Sequence, residues 1–507
     1  MHRSGPQRAM KSKLPSPKEI ARERQAGPAP KIAAVCLHFV VVFLVFSIWL
    51  VNPSPSRVLL YGGLICLPAY LCMAWMESRS TPLRINPLSF YLAWYSISLG
   101  ASAIYMSSQI AHNRAVRFAV TVISPGDIVA GYIIFLSGSL MLHLGMRLRS
   151  PRPARGDLAA IGHRAPYVYV IFGLGVLRII FPGAFAPLGS FGGCLVFGAI
   201  AGLSAFALHP YFRRRLGPEV FWSALLIGTL VLIVLELHSG SKAYIMYAFV
   251  PLAWRFLLDN SLRRFLPVLL GGLAVFYLAV VAPVIMASRL IRLQPGESRV
   301  QPILTEFSRR FGGGGGAVSA SQLGGQQHAF LSRMFDSTST GYFVGQVRNS
   351  GLLEGKTMSY IAYAFIPRIL WPQKPNVSRG AWFDAYIGQA RSAKEATTSL
   401  GMTATGELYW NFGLPGVLLG MFVIGLMEGQ LWRLAGSDPR SSPIRMLLYV
   451  TQIFAMPDMA EAVSVVTSLV ATWLIFRTLL LLTEPRRRQQ RRRIHFPGRS
   501  YAYNPAE

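Results

Sequence analysis

The sequence predicts an all-α polytopic membrane protein of about twelve spanning helices with one large external loop. Three observations carry that prediction. Apolar runs of about 20 residues recur along the chain, the length a helix needs to cross a hydrocarbon core. Of the 507 residues 52% are hydrophobic and the mean hydropathy is +0.40, well above soluble domains of this size. Lysine and arginine alternate between the short loops, as the positive-inside rule requires.

The basic tail 1–31 contains Arg3, Arg8, Lys11, Lys13, Lys18, Arg22, Arg24 and Lys31. The run 32–51 is too long for a signal-peptide core, and no small-residue cleavage site follows, so it is expected as the first uncleaved span. The bundle 32–286 then holds about nine spans, at 32–51, 58–75, 86–106, 126–146, 167–181, 191–209, 220–237, 242–258 and 265–286. Residues 287–405 form the large loop. Three further spans are expected within 406–482, at 406–431, 444–457 and 461–482, before a basic tail, 483–507. The fifth and eleventh runs are short enough to be tilted or half-membrane elements.

Charge fixes the expected sidedness. Loop 52–57 has only Arg57 and loop 182–190 has no charge. Between and after them come Arg79 and Arg84, the group Arg147, Arg149, Arg152, Arg155 and Arg164, then Arg213, Arg214 and Arg215, then Arg263 and Arg264, and Arg433 and Arg440. This alternation puts both termini in the cytoplasm and 287–405 outside. Only Arg114 and Arg117, in loop 107–125, run against it. The long loop is basic yet external, and loops of that length translocate regardless of charge, so its cations are free to serve a ligand.

A net charge of +29 in a soluble protein would point to nucleic acid. Here the basic residues cluster at membrane boundaries and in the loop, so the lipid bilayer's anionic headgroups are the expected partner and no nucleic acid is. Cys36, Cys66, Cys72 and Cys194 sit in apolar runs, as packing residues rather than a disulfide framework. No zinc-like Cys/His spacing or Asp-x-Asp pair occurs, and the glycine run 312–316 lacks the Lys-Ser/Thr of a P-loop, so no metal or cofactor is expected.

Within the loop, 308–325 is Gly/Ser-rich and reads as a hinge, and 330–347 reads as a helix. Phe365-Ile366-Pro367-Arg368-Ile369-Leu370-Trp371-Pro372-Gln373-Lys374-Pro375 follows. Its prolines stiffen the backbone and hold Arg368 and Lys374 at a defined separation. A guanidinium grips phosphate bidentately, and lysine acts as a point charge. Trp371 offers a face to a sugar ring; Trp and basic residues also make an ordinary interfacial anchor. Glu407 opens a span, either as a helix-start charge or as a carboxylate facing the external cavity, where it orients a sugar hydroxyl or takes its proton. Arg333 and Asp336, three apart, form either a surface pair or a ligand-facing arginine with its orienting carboxylate. Lys242, at an outer boundary, either snorkels or reaches a phosphate, with Glu236 to neutralise it. Arg178 and His328 are weaker members of the same set.

The run Pro367-Arg368-x-Leu370-Trp371-Pro372-x-Lys374-Pro375, followed by Gly406-Glu407-Leu408-Tyr409-x-Asn411-Phe412-Gly413-x-x-Gly416, resembles the O-antigen (Wzy-like) oligosaccharide repeat-unit polymerases. Gly240-Ser241-Lys242 resembles an element that begins a span in the same proteins. The specific likeness covers 365–416; elsewhere only the architecture is similar. The resemblance implies a GT-C-like, metal-independent glycosyltransferase of the bacterial plasma membrane. Its donor would be a growing glycan on undecaprenyl diphosphate and its acceptor a repeat unit on the same carrier, with a chain-length regulator and a flippase as partners. It implies catalytic roles for Arg368 and Glu407, and substrate contacts for Lys242, Arg333, Asp336, Trp371, Lys374 and Asn411. Cations on the diphosphate would stabilise charge that develops as the glycosidic bond breaks. An O-antigen ligase, with a loop histidine and a lipid-core acceptor, is the alternative. A flippase or other transporter, with internal pseudo-symmetry and polar residues at mid-membrane depth, is the third.

Overall fold

The computed structural model describes residues 29–151 apart from 80, 82, 119 and 120, then 165–181, 183–185, 195–239, 242–259, 262–277, 335–361, 379–388, 401–454 and 460–483, with 281, 301–303, 305, 308, 366, 371, 373 and 391–392 besides. The helices in chain order are α1 (Ala29–Val51), α2 (Pro55–Ser78), α3 (Pro87–Tyr95), α4 (Ser102–Ala111), α5 (Pro125–Arg149), α6 (Ala165–Ile180), α7 (Gly198–Leu208), α8 (Pro210–Leu216) and α9 (Pro218–Ser239). They continue as α10 (Lys242–Tyr247), α11 (Val250–Leu258), α12 (Leu266–Phe276), α13 (Ser337–Ser350), α14 (Arg379–Tyr386), α15 (Ala404–Ala435), α16 (Pro443–Phe454) and α17 (Ala462–Thr483). Strand among the described residues is confined to a two-stranded hairpin, β1 (Arg117–Phe118) against β2 (Thr121–Val122). The all-α membrane class therefore holds.

The count of twelve spans does not. Among the described residues, six helices are long and apolar enough to cross a membrane: α1, α2, α5, α9, α15 and α17. The expected run 242–258 is divided into α10 and α11, and Pro251, in the first turn of α11, has no amide to extend a helix backwards. Within the described part of the run 191–209, α7 stops at His209 before Pro210 opens α8. The runs 167–181 and 444–457 give the 16-residue α6 and the 12-residue α16. In 86–106 a π-helical turn, Ser96–Ala101, joins α3 to α4. Hydropathy reports composition over a window and does not see these breaks.

α5 is the most enclosed of the six long helices, and α1 and α9 are the most exposed. Phe39, Phe43 and Leu50 on α1 and Leu226, Leu230 and Val234 on α9 point outward, as lipid-facing surfaces do. α5 accepts its neighbours through glycine. A methyl group at Gly145 would strike the Phe422 carbonyl of α15, and one at Gly131 would strike the backbone of Gly341 on α13. Such small-residue crossings let helix backbones meet where no hydrophobic force drives them together. Three side-chain bonds tie helices to neighbouring elements. Arg147 Nε donates to Glu77 Oε1 at 2.8 Å, Trp254 Nε1 to the Leu83 carbonyl at 3.0 Å, and Arg213 pairs with Asp259 at 3.3 Å.

The 287–405 segment is not wholly a surface loop. Of the helix expected at 330–347, residues 330–334 lie outside the described residues, and α13 begins at Ser337, with Ser337–Val344 all buried against α5 and α15. The Gly131–Gly341 contact brings it that close; a side chain at either position would hold the helices apart.

Candidate functional site

The centre of the site is a bend in α15. Gly413 has φ 65° and ψ −159°, a left-handed value that suits glycine. Pro415 has no amide to donate to the Asn411 carbonyl. That carbonyl and the one of Trp410 instead accept from the amides of Glu354 and Leu353, at 3.0 Å each. The segment 404–412 then folds back along 414–420. A methyl group at Gly416 would lie 3.0 Å from the Leu408 carbonyl, and one at Gly420 would lie 2.5 Å from Leu408 Cδ2. In a straight helix eight or twelve residues separate atoms by about 12–18 Å, so the contacts define a helical hairpin. Thr405 Oγ1 consequently sits 3.2 Å from where a methyl on Gly138, midway along α5, would be.

This hairpin turns Glu407 inward. The residue has 0% exposure and does not face an open cavity. Its Oε1 accepts from Thr357 Oγ1 at 2.8 Å, and its Oε2 accepts from the Val463 amide at 3.3 Å, in the first turn of α17. Glu407 also lies in the first turn of α15, whose start is capped by Thr403 Oγ1 accepting from the Gly406 amide at 3.0 Å. The carboxylate thus meets the positive ends of two helices. Asn411 Nδ2 donates to Thr357 Oγ1 at 2.7 Å and to the Glu407 carbonyl at 2.8 Å. Its Oδ1 is buried and accepts no hydrogen bond among the described residues.

Aromatic packing locks the neighbouring elements to the hairpin. Phe343 of α13 stacks on Trp410 with centroids 4.8 Å apart and on Phe383 of α14 at 5.5 Å, and Tyr386 lies 5.2 Å from Trp410. Asp127, in the first turn of α5, accepts from Ser124 Oγ at 2.6 Å and pairs with Arg348 in the last turn of α13. The β1 residue Phe118 packs on Tyr342 and Phe383.

The expected Arg333 partner of Asp336 lies outside the described residues. Asp336 is partly buried at the start of α13, and its Oδ2 accepts from Trp94 Nε1 at 3.3 Å. Burial raises this carboxyl to about 7, and the Trp94 hydrogen bond opposes the rise. Trp371 is 38% exposed. Lys242 opens α10, Arg178 lies in the last turn of α6, and Glu236 is buried. Arg333, Arg368, Lys374 and His328 lie outside the described residues.

The structure thus brings Glu407 and Asn411 together and adds Thr357, Thr403, Asp127 and Arg348, which sequence reading missed. Two of these had a local signal. Ser124-x-x-Asp127 has the spacing of a helix-start box, and Thr403 precedes an apolar run as a cap does. Thr357, 50 residues from Glu407, had none. No known protein family, curated protein or solved structure matches the chain. The fold and site therefore define an all-α membrane protein, and nothing in these comparisons supports the GT-C expectation.

Proposed function

We propose that this protein is a membrane glycosyltransferase that polymerises lipid-linked oligosaccharide repeat units at the outer face of a bacterial plasma membrane. Both termini would then be cytoplasmic. The observation that supports it best is how the ends of the Arg368 segment are held. The segment leaves the turn Lys356–Met358, whose Thr357 is gripped by Glu407 and Asn411. It returns into α14, whose Phe383 and Tyr386 pack against Phe343 and Trp410. The described residues on either side of the Arg368 segment are thus anchored to the hairpin that carries Glu407 and Asn411. Arg368, with Lys374, Lys242 and Arg333, would neutralise the diphosphate of the undecaprenyl carrier. Trp371 would stack on a sugar, Asn411 Oδ1 would accept a sugar hydroxyl, and Asp336 would orient Arg333. Glu407 would position Thr357 for the acceptor. A second reading, transport of the same lipid-linked glycan, draws on the packing of α13 and 404–412, which fold into the bundle as half-helices do in transporters.

The lipid-linked glycan pool of a deletion strain tests the proposal. Single repeat units on the carrier at the outer face support polymerisation. Long chains stranded on the carrier make the protein a ligase, and units confined to the inner face make it a transporter. In the purified protein, Arg368→Ala should abolish polymer at normal abundance, and Arg368→Lys should restore only part. Glu407→Gln should slow chain growth about 10²–10⁴-fold. Activity within twofold of the parent would remove Glu407 from the site.

A further inference from the structure

Away from the hairpin, α1, α2 and α5 enclose a continuous line of titratable side chains. Tyr70 Oη lies 2.7 Å from His38 Nε2, and His38 Nδ1 lies 3.0 Å from His143 Nδ1. His143 Nε2 lies 3.8 Å from Glu77 Oε1, and Arg147 Nε donates to the same oxygen at 2.8 Å. Tyr70, His38, His143 and Glu77 are each at most 1% exposed. Among the described residues, the titratable and charged groups facing the histidine pair are Tyr70 and Glu77 from α2 and Arg147 from α5; α3 contributes only Tyr95, packed on Tyr70 at 5.7 Å. Ionisable groups buried this deeply in a bundle are costly and call for a reason.

The geometry fixes the protons. Two facing Nδ1 atoms at hydrogen-bond distance share one proton, so one ring donates and the other accepts. With Glu77 ionised against Arg147, the carboxylate 3.8 Å away, beyond hydrogen-bond reach, favours the tautomer of His143 that carries its proton on Nε2, which leaves Nδ1 bare. His38 therefore donates from Nδ1 and accepts at Nε2 from the Tyr70 hydroxyl. Ser139 Oγ, 2.9 Å from Tyr70 Oη and 3.2 Å from His38 Nε2, donates to the Leu136 carbonyl and stands by as an acceptor.

We propose that the His38–His143 pair is a proton-binding site in which Glu77 exchanges Arg147 for a protonated His143. A proton from hydronium, which leaves as water, reaches Tyr70 as Tyr70 passes its own to His38 Nε2, and His38 passes its Nδ1 proton to His143. His38 ends as the neutral Nε2–H tautomer and His143 as an imidazolium beside Glu77. Each step forms one N–H or O–H bond and breaks one, for a net gain of one proton. Charge balance then favours release of Arg147, in the last turn of α5, toward the nearby membrane face.

Solid-state NMR of the protein labelled with ¹⁵N-histidine, in lipid bilayers, reads this directly, with His38→Gln and His143→Gln assigning the pair. The wild type should show two neutral rings of opposite tautomer at neutral pH and one imidazolium per pair on acidification. Arg147→Gln should move that conversion up by at least about one pH unit, a tenfold gain in proton affinity, and Glu77→Gln should abolish it. Two independently titrating rings, or rings neutral until the protein unfolds, would overturn the proposal. So would an unshifted Arg147→Gln titration. The wild-type titration decides alone if the variants do not fold.

Discussion

Two fully buried glutamates stand in different parts of the bundle, and different chemistry holds each. Glu77 is met by the Arg147 guanidinium and stands near a histidine pair. Glu407 is met by a hydroxyl and by an amide at the start of α17. A guanidinium cancels charge wherever the two groups can reach each other. A helix start does so only where the backbone aims its free amides at the carboxylate, so Glu407 depends on the fold of the α15 hairpin in a way that Glu77 does not. The first arrangement survives small backbone shifts; the second links the hairpin, the Lys356–Met358 turn and α17 into one unit.

The contrast predicts unequal costs. The largest belongs to Arg147→Ala, which takes the guanidinium from the buried Glu77 and, at a pH where His143 is neutral, leaves no cation in its place. About 3–5 kcal/mol of stability should be lost in reversible denaturation from detergent or bilayers. Thr357→Val removes one hydroxyl from Glu407 and should cost about 1.5–3 kcal/mol, since the α17 amide remains. Equal losses at the two sites would break the comparison. Gly131→Ala forces α13 away from α5 and should cost about 1–3 kcal/mol, with faster proteolysis near Ser337–Ser350. A fourth prediction is a pH slope. The Asp336 carboxyl, raised from 3.8 to about 7, keeps its proton longer in the folded protein. Folded stability should therefore fall as pH rises from about 4 to about 7 and level off above, and Asp336→Asn should remove that slope from the melting temperature. A slope that persists in Asp336→Asn would assign it to other groups.

The buried polar groups were unevenly legible. Glu407, Asn411 and Gly413 stand in one short motif, so their importance showed in the sequence, but the direction of the carboxylate did not. A one-dimensional pattern placed Glu407 at the head of a span, and the bend at Gly413 turned that head inward. His38 and His143 escaped notice because each is a single histidine in an apolar run, and their partnership spans 105 residues. Helical spacing set Asp336 beside Arg333 and gave no sign of Trp94, 242 residues away, which donates to its carboxylate in the folded chain.

By itself the sequence determined the class of this protein, because apolar runs of membrane length have one soluble-phase alternative at most, and this chain has too many of them. Tertiary structure alone decided how many of those runs are continuous helices, that α13 lies inside the bundle, and which partners neutralise the buried acids. The physical reason is range. Hydropathy and turn chemistry act over a few residues and can be read locally. The desolvation of a carboxylate is settled by whatever donor the fold brings within about 3 Å, from any distance along the chain.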